Sequence, residues 1–395
     1  MIKLANQVIM DAYRRGASDI HVEPNGKERN TGVRLRIDGD CASYQEIPAQ
    51  YRNALVARFK IMSNLDISEK RKPQDGKIRF KSKTGTIELR VATIPTTGGN
   101  EDVVMRILAG SEPIPVDKMG FSERNLREWK ALLQKPYGIA LCVGPTGSGK
   151  TTTLHSGLGF INTPDLKIWT AEDPVEITQK GLRQVQVQSK IGFTFASAMR
   201  SFLRADPDVI MVGEMRDRET AQTGIEASLT GHLVFSTLHT NSAAESITRL
   251  LDMEIDPFSF ADALLGILAQ RLVRTLCKNC KEPYKLEADD FEEMVKLYGE
   301  KYWHRTGIRF SNDLTLYKPK GCSECASSGF RGRMGIHELL VNTDALKEMI
   351  QTKALVSAIH ERAVEDGMET LMQDGIVKVF QGKTNFAQIR MVCTK

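Results

Sequence analysis

The sequence predicts an α/β protein in which an α+β unit precedes a larger unit built on a parallel sheet. Three observations carry this. SDIHVEP and GVRLRIDGD alternate apolar and polar side chains, as half-buried strands do. Four short apolar runs, GIALCV, LKIWTA, DVIMVG and HLVFST, are separated by helix-like stretches, the pattern of buried parallel strands and crossover helices. Between the first run and a helix-like segment stands GPTGSGKTTT, residues 144–153, a glycine-rich turn suited to phosphate.

In chain order, ANQVIMDAYRRG reads as a short amphipathic helix that Gly16 stops. SDIHVEP and GVRLRIDGD read as strands, and YRNALVARFKIMSNLDI has helical periodicity. KIRFKSKTGTIELRVATIP reads as a hairpin around Lys83-Thr84-Gly85, and VVMRIL closes the unit as another strand. These elements make an N-terminal α+β domain over residues 1–109. The Pro-containing stretch GSEPIPVDKMG, residues 110–120, is the linker. FSERNLREWKALLQK, with Ser122 as its cap, opens a second domain over 121–395, whose final part, 337–395, reads as helical.

The composition bounds the function classes. Hydrophobic residues make up 41% of the 395, and 54 basic against 49 acidic side chains leave a mild net charge of +5. That balance neither demands nor excludes nucleic acid. No apolar run approaches the ~18 residues of a membrane span. The N-terminus, interrupted by Lys3, Asp11, Arg14 and Arg15, shows no signal peptide, so a cytoplasmic protein is expected. The seven cysteines include two CxxC pairs, which in a cytoplasmic chain point to metal rather than disulfides.

The glycine-rich stretch fits G-x-x-x-x-G-K-S/T with Gly144, Gly149, Lys150 and Thr151. Glycines let the loop turn tightly at Pro145, so that successive N–H groups of Thr146, Gly147, Ser148 and Thr152 converge on a phosphate, and the following helix adds its N-terminal dipole. Lys150 is placed to reach the β- and γ-phosphates of ATP, and the Thr151 hydroxyl to hold Mg²⁺.

Each apolar run ends in something chemical. The first ends in this loop, LKIWTA in Glu172, Asp173 and Glu176, DVIMVG in Glu214, and HLVFST in His239. In a parallel sheet the C-terminal strand ends share one edge, where ligands bind. Glu214 is placed like a Walker B carboxylate, able to hold Mg²⁺ through water or to orient the attacking water. Glu172, Asp173 and Glu176 are further candidates for the general base. His239, and secondarily His232, are candidates for sensing the γ-phosphate.

Cys277-x-x-Cys280 and Cys322-x-x-Cys325 form two knuckles of the kind that bind Zn²⁺ tetrahedrally. Four thiolates with no open position indicate a structural site within 277–325. DDFEEMVKLYG, between them, reads as a helix. Cys142 lies in a core strand, and Cys41 and Cys393 carry no evident chemistry.

Together these motifs resemble the secretion-ATPase superfamily of type II secretion and type IV pili. GPTGSGKTTT, AEDPVE, DPDVIMVGEMRDRETA and TGHLVFSTLHTNSAAESITRLL correspond to its Walker A, Asp box, Walker B and His box. GASDIHVEP, RKPQDGKI and GCSECASSGFRGRMGIHELL add further matches. The resemblance spans nearly the whole chain. The CxxC pairs resemble the pilus-assembly and type II secretion branches, whereas the pilus-retraction branch typically lacks them.

The resemblance implies a PAS-like N-terminal domain and a RecA-like P-loop ATPase domain with a zinc-binding insertion and a helical C-terminal region. It implies a homo-hexameric, Mg²⁺-dependent ATPase in which ATP/ADP cycling changes the angle between the two domains across residues 110–120. Such a ring is cytoplasmic and peripheral at the inner membrane. It acts there on a platform protein of the PilC/GspF type and touches the membrane only indirectly. Arg90 and Arg106 match arginines that the N-terminal domain presents to the γ-phosphate, and Arg271 matches another basic position at the nucleotide. The sequence departs from the family where Asp102 stands in place of a basic residue in TTGGNEDVVMR, a loop that also carries an extra residue. Relatives usually carry upstream domains, so the chain reads as a truncated length of such a protein. Type IV pilus assembly is the favoured reading, with type II secretion as the alternative. A nucleic-acid translocase, with EKRKPQDGKIRFKSK as its footprint, is disfavoured by the acids interleaved in that run, and no nucleic acid is expected. A zinc-stabilised interaction module whose ATP site only switches is a further alternative.

Overall fold

The computed structural model describes residues 1–26, 28–82, 85–108 and 113–393. The chain divides into two compact units, Met1–Ser111 and Glu112–Lys395. The expected turn residues Lys83 and Thr84, and Gly110, Ser111 and Glu112 of the linker, lie outside the described residues.

The first unit runs α1 (Ile2–Arg14), β1 (Ala17–Pro24), β2 (Thr31–Ile37), β3 (Asp40–Ile47), α2 (Arg52–Met62), β4 (Gln74–Ser82), β5 (Gly85–Thr96) and β6 (Asn100–Ile107). Its strands form one antiparallel sheet in the order β3-β2-β1-β6-β5-β4. Alternation decides which face is buried. Val33 and Leu35 of β2, Leu89 and Val91 of β5, and Val103 and Met105 of β6 pack in one core with Val8 and Ile9 of α1 and Leu55 and Phe59 of α2. The intervening residues face outward.

The second unit begins with α3 (Glu123–Leu133), β7 (Gly138–Val143), α4 (Lys150–Ile161), β8 (Ile168–Glu172), β9 (Arg183–Gln186), α5 (Phe195–Phe202), β10 (Val209–Val212), α6 (Arg218–Leu229) and β11 (Leu233–Leu238). It continues with α7 (Ala243–Asp252), α8 (Pro257–Ala263), β12 (Leu264–Leu276), β13 (Glu282–Lys285), α9 (Ala288–Tyr298), β14 (Thr315–Lys318), β15 (Phe330–Val341), α10 (Asp344–Gln351), α11 (Val356–Glu365), α12 (Leu371–Phe380) and α13 (Phe386–Cys393). The large sheet has seven strands, ordered β15-β12-β7-β11-β10-β8-β9. The four apolar runs are its central parallel strands. β7 shows why they are apolar throughout: Ile139, Leu141 and Val143 face a core with α5, α6, α7 and α8, while Ala140 and Cys142 face a second core with α3 and α4. Ser122 accepts a hydrogen bond from the Asn125 N–H and caps α3, as its position predicts.

LLGILAQRLVRTL, to which the sequence reading assigned no element, is the long strand β12, paired parallel with β7 and antiparallel with β15. The expectation that 337–395 is helical is corrected at its start. His337 to Val341 belong to β15, because Ile336, Leu339 and Leu340 complete the sheet's apolar faces, and helix begins only at Asp344.

Candidate functional site

Glycine backbone conformations set the phosphate loop. Gly144 and Gly149 have φ of 149° and 88°, where side chains are strained. A Cβ on Gly144 would stand 2.5 Å from the Gln270 carbonyl oxygen, and one on Gly149 would stand 2.8 Å from Gln270 Nε2. Gly149 then caps α4, so the first-turn N–H groups beside Thr151 and Thr152 open toward the loop. Pro145, Thr146 and Gly147 are exposed at the tip, whereas Ser148 is buried. Lys150 folds back onto the loop, its Nζ 2.7 Å from the Gly144 oxygen and 3.1 Å from that of Pro145. Burial pulls its ammonium below the ordinary lysine range, and nearby Glu214 opposes that.

The strand ends converge as expected. Backbone bonds tie them edge to edge: Gly144 N–H to the Leu238 oxygen, Gly213 N–H to that of Ala171, and Met215 N–H to that of Thr237. Glu214, directly after β10, is mostly buried. Its carboxylate lies 3.3 Å from His239 Nε2 and 2.7 Å from Arg216 Nε. His239 is half-exposed at the end of β11. Arg271, on β12, donates to the backbone and side-chain oxygens of Asn241, both at 3.1 Å, and so ties down the segment after His239.

The acidic turn after β8 separates into two environments. Glu172 is 3% exposed and fully engaged, by His155 at 3.0 Å, Thr170 at 2.6 Å and Gln184 at 3.0 Å. Asp173 is exposed and Glu176 half-buried. His232 is not at this edge. It precedes β11 at the N-terminal end of the sheet, bonded through Nδ1 to the Ala227 oxygen, and it lines a cavity with Phe160, Leu166 and Asp208. A residue at the start of a parallel strand lies a strand length from one at its end, which excludes the phosphate-contacting candidacy of His232.

On the open face of the first unit's sheet, strand register builds a row. Arg36 opposes Asp19, Asp19 opposes Arg106, Arg106 opposes Arg90, and Arg90 opposes Lys77. Arg106 Nε donates to Asp19 at 2.9 Å, and Arg90 stands 3.8 Å from Asp75. Two arginines directly opposite one another repel, and Asp19 and Asp75 offset part of that charge. Asp102, also on β6, is part-buried, and burial raises its carboxyl above the ordinary range. In the basic run that follows α2, Arg71 pairs with Glu69 at 3.1 Å and Arg79 with Glu88 at 2.9 Å.

The four cysteines of the two knuckles meet. Cys277 follows β12 and Cys280 precedes β13, while Cys322 follows β14 and Cys325 precedes β15, so pairing of β13 with β14 brings the knuckles together. Their Sγ atoms lie within 4.8 Å of one another, with separations of 3.9 Å (Cys277–Cys322), 3.7 Å (Cys280–Cys325) and 3.7 Å (Cys322–Cys325). Thiolates at ~2.3 Å from a tetrahedral Zn²⁺ stand about 3.8 Å apart, so the donors fit zinc. The N–H groups of Cys322 and Gly329 both donate to the Cys325 Sγ at 3.2 Å, which favours the thiolate a metal needs.

Sequence reasoning missed several residues that hold this site. Gln270, 1% exposed, donates to the Ser148 oxygen at 2.7 Å and accepts from the Thr153 hydroxyl at 2.6 Å. The available signal was the polar pair Gln270-Arg271 set between the apolar stretches LLGILA and LV. His155, Gln179 and Gln184 give no pattern in sequence because the contacts that define them are long-range.

Residues 1–391 match the family described as type II/IV secretion system protein. The chain is 45% identical over 388 residues to the type IV pilus assembly ATPase PilB of Thermus thermophilus, covering 98% of this chain and 42% of that protein. It is 44% identical over 393 residues to the type II secretion system ATPase E of Vibrio cholerae, covering 99% of this chain and 75% of that one. The chain thus spans less than half of the Thermus relative and three quarters of the Vibrio one. A solved structure of the pilus retraction motor PilT with bound ADP superposes at TM-score 0.65 with 26% identity, covering 98% of this chain and 96% of that chain.

Proposed function

This chain belongs to the type II/IV secretion system protein family, and from that premise we propose that it is a Mg²⁺-dependent ATPase, the motor of type IV pilus assembly. The observation that carries the chemistry is the meeting of a glycine-set phosphate loop with the Glu214–His239 pair on one sheet edge. The loop N–H groups and Lys150 would hold the β- and γ-phosphates of ATP, and Thr151 with Glu214 would hold Mg²⁺, which neutralises charge developing on the phosphoryl oxygens. Glu214, braced by His239 and Arg216, orients the attacking water. Glu176, which no described residue engages by hydrogen bond or ion pair, is the second candidate base. Arg90 and Arg106 are proposed to stabilise the γ-phosphate, and Arg271 to hold the His239 segment beside it. Zn²⁺ in the four-cysteine site is structural.

Beyond the chemistry, we read the working form as a homo-hexamer on the cytoplasmic side of an inner membrane, driving a platform protein. No described helix is long and apolar enough to cross a membrane. Type II secretion uses the same chemistry, and the pilus reading rests on overall likeness.

Glu214→Gln tests the chemistry: ATP turnover should fall by about 10²–10⁴-fold with nucleotide binding retained. Equal turnover in the variant would remove Glu214 from the mechanism. Deleting the gene and counting surface filaments, with wild-type and Glu214→Gln complementation, separates the machines. Filaments lost and restored only by wild type support pilus assembly. Normal filaments with secreted enzymes trapped in the periplasm support type II secretion.

A further inference from the structure

We propose that His155 is a positioning residue for ATP turnover: with Glu172 it forms a buried clamp that fixes the acidic turn after β8 against the helix that follows the phosphate loop. The inference rests on the ATPase reading above and assigns Glu172 a positioning role rather than that of a base.

His155 lies on α4, one turn beyond Thr151, and is completely buried. Its Nε2 stands 3.0 Å from Glu172 Oε2. On its other edge, Gln179 Nε2 stands 2.7 Å from Nδ1, and the same amide nitrogen donates to the His155 carbonyl oxygen at 2.9 Å. That second bond sets the amide's orientation. Its nitrogen only donates, so Nδ1 accepts and the ring proton sits on Nε2, pointing at Glu172.

Glu172 has no side left for a substrate. Its Oε1 accepts from the Thr170 hydroxyl at 2.6 Å and from Gln184 Nε2 at 3.0 Å, while His155 takes Oε2. Gln184 also donates to the Ile177 oxygen at 2.7 Å and accepts from the Gln179 N–H at 2.8 Å. The network thus closes residues 172–184 on themselves and onto α4. A carboxylate 3% exposed and held by three donors cannot turn to take a proton from water without leaving those donors unpaired. What it does is register the turn that carries Asp173 and Glu176 against the phosphate loop, through one imidazole with a donor on one edge and an acceptor on the other. An aliphatic side chain supplies neither.

The test uses the full chain and four variants: His155→Leu, His155→Gln, Gln179→Leu and, as the control for the ATPase reading, Glu214→Gln. Displacement of a catalytic group by about 1 Å costs on the order of 10²-fold, so His155→Leu should lower kcat by about 10–100-fold. Its nucleotide Kd should stay within about threefold, a change under 1 kcal/mol. His155→Gln, which restores a donor and an acceptor, should recover kcat to within about threefold by the same measure. Hydrogen exchange of peptides covering 168–184 should rise by about tenfold in His155→Leu and Gln179→Leu, the loss of roughly one buried hydrogen bond, and stay near wild type in His155→Gln. Wild-type turnover and exchange in His155→Leu would overturn the clamp. So would equal impairment of the Leu and Gln variants, which would mark His155 as packing alone. If wild type itself binds ATP without turning it over, the ATPase reading fails, and the exchange pattern alone decides the clamp. If His155→Leu does not fold, His155→Gln and Gln179→Leu carry the same comparison.

Discussion

Replacing Gln270 by leucine should loosen the phosphate loop from a strand the loop itself never enters. Leucine keeps about the same volume in a site 1% exposed, so packing changes little. Two hydrogen bonds are lost. The Thr153 hydroxyl retains the Gly149 oxygen at 3.2 Å as an acceptor, so its loss sits at the low end, about 1 kcal/mol. The Ser148 carbonyl loses a buried donor that stood at 2.7 Å, which costs about 1–3 kcal/mol. The sum, about 2–4 kcal/mol, corresponds to a fall in Tm of about 5–10 °C for a domain of this size. If half of it falls on ordering the loop, nucleotide affinity drops by about 5–30-fold, because binding must first restore the competent loop. Calorimetry and titration with a fluorescent ATP analogue read the two effects. Wild-type affinity together with wild-type Tm would refute the claim that Gln270 holds the loop. Gln270→Glu should be worse than leucine, since it turns a carboxylate toward the Ser148 oxygen.

Three further outcomes are expected. Arg90→Ala should change stability by no more than about 0.5 kcal/mol, since it relieves an arginine opposed to Arg106, yet lower turnover by at least 10²-fold on the order of other phosphate-directed arginines. Unchanged turnover would leave the arginine row without a catalytic role. Cys277→Ser with Cys322→Ser should abolish bound zinc, read by metal analysis, and lower Tm, while zinc retained at wild-type stoichiometry would refute the four-cysteine site. His337 is buried and neutral, its pKa held well below 6.5 by burial and by Lys378, and its Nδ1 lies 4.0 Å from Asp374, beyond hydrogen-bond reach. The unfolded chain protonates this histidine near pH 6.5 and the fold does not, so stability should fall as pH drops below about 6.5. His337→Leu should raise Tm more at pH 5.5 than at pH 8, and an equal shift at both would refute this account.

Much of the site was legible in the chain because its chemistry is local. A glycine that must adopt positive φ, a lysine and a threonine at fixed offsets, and carboxylates directly after apolar runs are written in consecutive residues. Parallel pairing then places those strand ends on one edge whatever the loops do, and this is why Glu214 and His239 could be named before their contact was seen. The CxxC spacing announced its thiolates in the same way.

What needed the tertiary structure is everything set by non-local contact. β12 carries the leucines of a helix and becomes a strand because β7 and β15 offer it a place in the sheet. Glu172, Asp173 and Glu176 look alike in sequence. Only burial and the approach of His155 from another element separate an engaged carboxylate from an exposed and a half-buried one. His232 and His239 flank the same strand, and only the strand's direction decides that one reaches the phosphate edge. The facing of Arg90 and Arg106 is a matter of register between strands joined by a turn. The sequence by itself therefore determined that the phosphate loop, Glu214 and His239 share one sheet edge, because backbone conformation and strand polarity are local. Tertiary structure decided which of them are held and by what, because hydrogen bonding and burial depend on residues distant in the chain.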